Sequence, residues 1–305
     1  MVLACLSDTH LAWETPEARK DEYFLTGLRK FEYVLSWCKK NKAPILIQAG
    51  DLTDKPRSWY LLPSLLKLLK QYYEEGEGVT LCTVWGQHNG YMRSEMSKPS
   101  TMLGILEETG YSIILDESPV MHDGVHIYGS SWGEWVPTIE EEKAVNVFVT
   151  HDSISDAELF PGQEYTDAEK YLDDHPDFDL IVCGDTHKKF IIEKEGRILV
   201  NTGPMLRKEA TLYNFDHEPC FFVYDTETKQ GRFEIIPHVM AERVLTRDHI
   251  ETGKDRIKIL EEFINAVGNC SVDYTVSFEK NLDKILKINN IEQAVIDIIA
   301  EEMAR

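Results

Sequence analysis

Residues 2–10 read VLACLSDTH, an apolar run that stops abruptly at an acid and an imidazole. The same pattern returns four times. ILIQAGD (45–51), TLCTVWGQHN (80–89), VNVFVTH (145–151) and LIVCGDTHK (180–188) each set carboxylate, imidazole or amide donors directly after a short apolar stretch. Short apolar runs closed by polar turns predict buried strands, at Val2 to Leu6, Ile45 to Ala49, Val79 to Trp85, Val125 to Tyr128, Val145 to Val149 and Leu180 to Cys183. Between the early runs, Tyr23 to Lys40 and Tyr60 to Tyr73 have helical period. The second carries Pro63 in its first turn, where a missing N–H costs least. Strands alternating with helices predict an α/β layered protein. After Gly184 the runs Phe190 to Ile192, Ile198 to Val200, Phe221 to Tyr224 and Phe233 to Ile236 follow one another without long helices, which predicts antiparallel strands in a second or mixed sheet.

Working outward, the 305 residues are 43% hydrophobic and 10% aromatic, enough to bury a sizeable core. The 32 basic against 53 acidic residues leave a net charge of −21, which disfavours non-specific attraction to nucleic acid or anionic membrane. Six cysteines stand singly with no CxxC pair, as reduced core residues do. The opening MVLACLSDTH lacks a basic region before an apolar run, and no stretch is long and apolar enough to span a bilayer, so the expected location is cytoplasmic, with no membrane partner. A phosphate loop of the GxxxxGK[ST] type is absent.

The texture changes near Met240. From there the chain is charged and helical in period, with apolar positions at Ile257, Leu260, Ile264 and Val267 and again at Ile291, Val295, Ile298 and Ile299. This divides the sequence into a domain over 1–240 and a small helical module over 241–305, whose apolar stripes pack on the chain's own sheet, in a homodimer or on a partner.

The chemistry gathers at the strand ends. Asp8, His10, Asp51, Gln87, His88, Asn89, His151, Asp185 and His187 follow five successive strands, the place where α/β sheets build sites. Any one of them alone reads as a cap or turn residue; their joint order argues for a shared centre. Hard carboxylates mixed with imidazoles and an amide suit Mn²⁺, Fe or Zn²⁺ better than Ca²⁺. His122, His126, His175, His217, His238 and His249 lack this context and read as surface or structural. Tyr128, Trp132 and Trp135 offer rings that stack a base or pack a rim. Lys188, Lys189, Arg207 and Lys208 are candidate phosphate contacts.

These blocks resemble the calcineurin-like metallophosphoesterases, whose motifs run DxH, GD, GNH[DE], a lone His and GHxH. Within them the chain is most similar to the SbcD-like nuclease subunits, in the short form carried by bacteriophages, on the strength of HIYGSSWG (126–133), GDTHKKF (184–190), GRILVNTGPMLR (196–207) and VYDTET (223–228). The resemblance implies a four-layer α/β/β/α sandwich. It also implies two divalent metal ions, Mn²⁺ above Fe or Zn²⁺, with Asp8, His10, Asp51 and His187 at one and Asp51, Gln87, His151 and Asp185 at the other. His88 would act on the leaving oxygen, and Asn89 would stand where the family has an acid that orients that histidine. Gln87 replaces the usual Asn, and Asp185 replaces the first His of GHxH, adding a negative charge. The implied activity is a phosphodiesterase, a DNA exonuclease or nuclease working with an SbcC-like ATPase partner. A small-molecule phosphodiesterase or phosphatase, and a metal-poor scaffold of the same fold, are the alternatives.

Overall fold

A computed structural model describes residues 1–73, 78–90, 95–139, 144–158 and 164–248. The chain divides into two units, Met1–Leu245 and Thr246–Arg305. The apolar positions expected to form the C-terminal module, from Ile257 to Ile299, lie outside the described residues. The first unit runs to Leu245, a few residues past Met240. Helix α6 (Ala241–Val244) follows Met240 directly, and Ala241, Val244 and Leu245 bury against Phe215 of α5 (Leu212–Asp216).

The first unit holds two six-stranded sheets. Strands β1 (Val2–Ser7), β2 (Ile45–Ala49), β3 (Thr80–Thr83) and β4 (Ile113–Ile114) run parallel. The hairpin β13 (Cys220–Asp225) and β14 (Gln230–Ile235) joins them antiparallel at the free edge of β1, giving the order β14-β13-β1-β2-β3-β4. The second sheet is built from β5 (Val120–His122), β6 (Val125–Ser130), β7 (Val145–Thr150), β10 (Leu180–Cys183), β11 (Lys189–Lys194) and β12 (Arg197–Thr202), in the order β11-β12-β10-β7-β6-β5. A small pair, β8 (Ile154–Ser155) and β9 (Thr166–Asp167), lies apart. The late strands therefore form two antiparallel hairpins, one added to each sheet, in place of a separate sheet.

Why the strands read as unbroken apolar runs follows from their burial. Leu3, Cys5, Ile45, Ile47, Val147, Val149, Leu180 and Val182 face the space between the sheets. Their neighbours Ala4, Leu6 and Leu46 face α1 (Tyr23–Lys40), α2 (Leu62–Tyr72) and α3 (Met102–Glu108). On the far side Phe148, Ile181 and Leu199 pack with α4 (Ala168–Asp174). Strands buried on both faces lose the polar alternation of a half-exposed sheet. The result is four layers, α/β/β/α. Among the described residues no helix is long and apolar enough to cross a membrane, and the five described cysteines are buried and unpaired.

The sheets are tied together at the carboxyl ends of their parallel strands. Ser7 Oγ donates to the carbonyl of Cys183 at 2.7 Å, and the Ser7 amide donates to Thr202 Oγ1 at 2.8 Å. These bonds bring the ends of β1, β10 and β12 together, so the loops after both sheets open on one rim.

Candidate metal centre

Two copies of one tripeptide face each other across this rim. Asp8-Thr9-His10 follows β1 and Asp185-Thr186-His187 follows β10, and in both the Asp and the His have positive φ, at 40°, 43°, 72° and 51°. Left-handed backbone at a non-glycine residue is costly and persists only where the surroundings hold it. Here it brings the two imidazoles together and sets the Asp8 carboxylate against the second loop, while the Asp185 carboxylate meets Gln87. The His10 and His187 Nε2 atoms stand 2.8 Å apart, the Asp185 amide donates to Asp8 Oδ1 at 3.1 Å, and His187 Nε2 lies 3.6 Å from the same oxygen.

Asp51 sits at the centre. It too is left-handed, at φ 53°, and Gly86 lies so close that a Cβ there would stand 2.1 Å from Asp51 Oδ1. That approach lets the His88 amide donate to Asp51 Oδ1 at 2.9 Å, leaving Oδ2 to face three imidazoles: His151 at 3.4 Å, His10 at 3.9 Å and His88 at 4.0 Å. His151 is fixed by its Nδ1, which donates to the carbonyl of Ala49 at 2.7 Å, and the glycine next in line, Gly50, has no room for a side chain against that ring. Gln87 donates its amide nitrogen to Asp185 Oδ1, which aims its amide oxygen elsewhere. The groups Asp8–His10–His187, Asp8–Asp51–His151 and His10–Asp51–His88 each bring their donor atoms within 4.8 Å of one another.

A model of calcineurin-like phosphoesterases matches residues 1–189, the stretch that carries all of these donors. The chain belongs to that family. Among solved structures it is similar to an archaeal phosphodiesterase, with 16% identity, 77% of this chain and 99% of that one covered, and a TM-score of 0.42. It is similar also to a dimetal phosphatase from Danio rerio (10% identity, 78% and 99% covered, TM-score 0.47) and to a Thermus thermophilus protein, TT1561 (10%, 77% and 99%, 0.48). No curated protein sequence matches the chain. The family comprises hydrolases of phosphate esters that work with divalent metals.

The donors of this chain fit such ions. Asp8 Oδ2, Gln87 Oε1 and His151 Nε2 are buried without hydrogen-bond partners, a costly state for three polar atoms of one cluster unless a cation meets them. Asp8, Asp51 and Asp185 bring three carboxylates together, while the nearby ammonium of Lys208 is committed to Asp54 at 2.5 Å. Without metal, burial pushes the Asp8 carboxyl up to about 6. Burial alone would lower His151, but the adjacent Asp51 carboxylate, followed by Asp8, overcomes it and raises the imidazole to about 10. Burial opposes ionisation of Asp51 as well, yet His151 and then His10 and His88 hold its carboxyl below the usual range. Desolvation holds His10 and His187 below the ordinary histidine value, which leaves them neutral and able to ligate.

Asp51 makes the metal-free His151 imidazole hold a proton more readily, and the ring must be neutral to ligate, so loading metal should release protons. Calorimetric titration of the chelated protein in buffers of different ionisation enthalpy reads this directly. Binding without proton release would remove His151 from the ligand set.

The structure also redraws what surrounds the centre. Asn89 does not orient His88. Its Oδ1 accepts from the Gly86 amide at 3.2 Å and its Nδ2 donates to Thr53, so it closes its own turn. The partner of His88 is Asp54, whose carbonyl accepts from His88 Nδ1 at 3.0 Å and whose carboxylate lies 3.4 Å from His10 Nδ1. Burial opposes its charge, but His10 and Lys208 hold the Asp54 carboxyl low. Asp54 stands in plain view in GDLTD, three residues after Asp51, but only the parallel pairing of β2 with β3 brings it to His88. Lys188 is paired with Asp156 at 2.9 Å. Arg207 is no surface phosphate contact: it is 3% exposed, donates to the carbonyl of Val239 and receives the Arg19 guanidinium on its own carbonyl. The NTGP stretch braces the site, with Asn201 donating to Gly184 O and Thr186 Oγ1 behind the second tripeptide.

Proposed function

We propose that the protein is a metal-dependent phosphodiesterase that degrades DNA as the nuclease subunit of a complex with an SbcC-like ATPase, using Mn²⁺ in preference to Fe or Zn²⁺. The observation that carries the phosphodiesterase reading is the convergence of Asp8, His10, Asp51, His88, His151 and His187 in three overlapping donor groups, with Gln87 bonded to Asp185 and the Asp8 Oδ2, Gln87 Oε1 and His151 Nε2 atoms buried without partners. Asp8, His10, Asp51 and His187 would hold one ion, and Asp51, Gln87, His151 and Asp185 the other. Bound there, two divalent ions supply Lewis acidity towards a phosphoryl group and lower the pKa of an attacking water.

The chain's own residues do the rest. Asp51, facing imidazoles from β1, β3 and β7 loops, fixes the spacing of the two ligand sets. His88 ties its Nδ1 to the Asp54 carbonyl and turns its Nε2 edge to the site, where the doubly protonated ring would deliver a proton to the leaving oxygen. Its side chain is 40% exposed, as a group that meets substrate must be. DNA as substrate rests on the SbcD-like stretches at 126–133, 184–190, 196–207 and 223–228. The −21 charge argues that duplex is gripped with the help of a partner carrying a basic face.

Mn²⁺-dependent digestion of single- and double-stranded DNA beside bis(p-nitrophenyl) phosphate tests this. Hydrolysis of both supports the nuclease; hydrolysis of the small diester alone, with DNA untouched in the presence of an SbcC-like partner, supports a small-molecule phosphodiesterase; no metal-dependent hydrolysis supports a scaffold. A metal-specific outcome is expected at Asp185. Exchanging this hard anion for imidazole in Asp185→His should shift the activity ranking from Mn²⁺ towards Zn²⁺. An unchanged ranking in assays with each metal would argue that Asp185 is not a ligand.

A further inference from the structure

A second charged cavity, of about 310 Å³, lies between α1, the residues around Arg207 and the stretch from Pro237 to Val244. Three of its lining cations, Arg19, Lys30 and Arg207, are 7%, 5% and 3% exposed, and Arg29 adds a guanidinium from the solvent side of α1. The wall offers one carboxylate, Asp21. It is already taken by two Arg19 nitrogens at 2.7 Å and by the Thr26 hydroxyl at 2.7 Å. Lys30 is left with the carbonyl of Met205 at 2.9 Å, and Arg207 with that of Val239, while Arg207 Nε is buried with no partner at all. Glu242 contributes a solvent-exposed charge nearby.

Buried charge is normally matched by a counter-charge. This wall is short of one, in a protein whose overall balance is strongly acidic. The shortage shows in the lysine: burial, then repulsion from Arg207 and Arg19, pushes Lys30 well below its ordinary value.

We propose that this cavity binds a phosphate monoester. With Arg19 committed to Asp21, the Arg29 and Arg207 guanidiniums and the Lys30 side chain around one space match a tetrahedral dianion in charge and in hydrogen-bond geometry, and Tyr33, Pro237 and Val239 form an apolar side for a small organic body. A volume near 310 Å³ is at the small end of ligand pockets, about 300–1,000 Å³. The site is tied to the reaction centre by one short strap. Lys30 holds Met205 O while the Met205 amide donates to Asp8 O at 3.2 Å, and Lys208 at the end of the same strap holds Asp54. A phosphate monoester is also the class of product that phosphodiester hydrolysis leaves, so this is a place for product to act back on the loops that carry Asp8 and Asp54.

Calorimetric titration of the full chain with inorganic phosphate, dAMP and succinate, before and after chelation of metal, tests the site. Chelation removes phosphate binding at the metal centre, so what survives reports the cavity. The expected result is one phosphate-binding event that survives, dAMP binding at least as tightly, and weakening by about tenfold or more in Arg29→Glu. Arg29 is exposed, so this variant should fold and hydrolyse bis(p-nitrophenyl) phosphate at the normal rate. Lys30→Met should abolish the event. No binding after chelation, succinate binding as well as phosphate, or equal binding by Arg29→Glu would overturn the proposal. These outcomes do not depend on whether DNA is the substrate.

Discussion

Asp51→Asn should lose Mn²⁺-dependent hydrolysis by more than about 100-fold, the upper end of what losing a mere outer partner of a metal ligand costs. The reason is its position. One carboxylate oxygen faces imidazoles from three loops belonging to two different sheets, and the other is pinned by the His88 amide, so the side chain stands where both ligand sets meet. An amide at this point keeps the shape but halves the oxygen donors and withdraws the charge that raises His151. The variant should therefore also bind less metal, and its His151 should fall back towards an ordinary histidine. Full Mn²⁺-dependent activity, measured on bis(p-nitrophenyl) phosphate at saturating metal, would sink the assignment.

For His88→Ala the expected pattern is different. Metal content should stay at the wild-type level, while kcat falls by about 10²- to 10⁴-fold, the usual contribution of a positioned proton donor. The histidine is held from its Nδ1 side by Asp54 O and reaches Asp51 only at 4.0 Å, so removing it leaves the carboxylates and the other imidazoles in place. An aryl leaving group of low pKa needs less protonation, so the loss should be smaller on bis(p-nitrophenyl) phosphate than on DNA. Loss of a metal ion from this variant, seen by elemental analysis, would make His88 a ligand instead.

Much of this is legible in the sequence because of one physical circumstance. The strands that matter are covered on both faces, so VLACLS or LIVC stands out as an unbroken apolar run, and whatever polar residue ends the run is by necessity at the rim. Helix α1 is readable over its whole length, Tyr23–Lys40, since its apolar stripe faces a sheet and its other side faces water. Pairing is not legible. Nothing local in Phe221 to Tyr224 says that it lies against β1, at the opposite end of the first unit's sequence, or that Ile198 to Val200 inserts beside β10. The two-residue strands β4, β8 and β9 carry too little pattern to be seen at all.

The errors at the site have the same origin. The resemblance places Asn89 where the family has the acid that orients the histidine, yet a turn that bends at Gly86 sends its side chain back to its own backbone, and Asp54 is the residue that meets His88. Arg207 reads as a candidate phosphate contact or as solvated surface in NTGPMLRK; the chain turns it under α1, where it lines a cavity with Arg19 and Lys30. The repeated DTH, in contrast, can be read as paired donors, because both copies close a strand in the same left-handed turn.

On the proposed reading this rim is a two-metal phosphodiesterase centre. The most direct measurement is titration of chelated full-length protein with Mn²⁺ while bis(p-nitrophenyl) phosphate hydrolysis and bound metal are followed together. Activity that rises only as a second equivalent of Mn²⁺ binds is the predicted result. Hydrolysis that is complete with one equivalent, or that does not require metal, would contradict it.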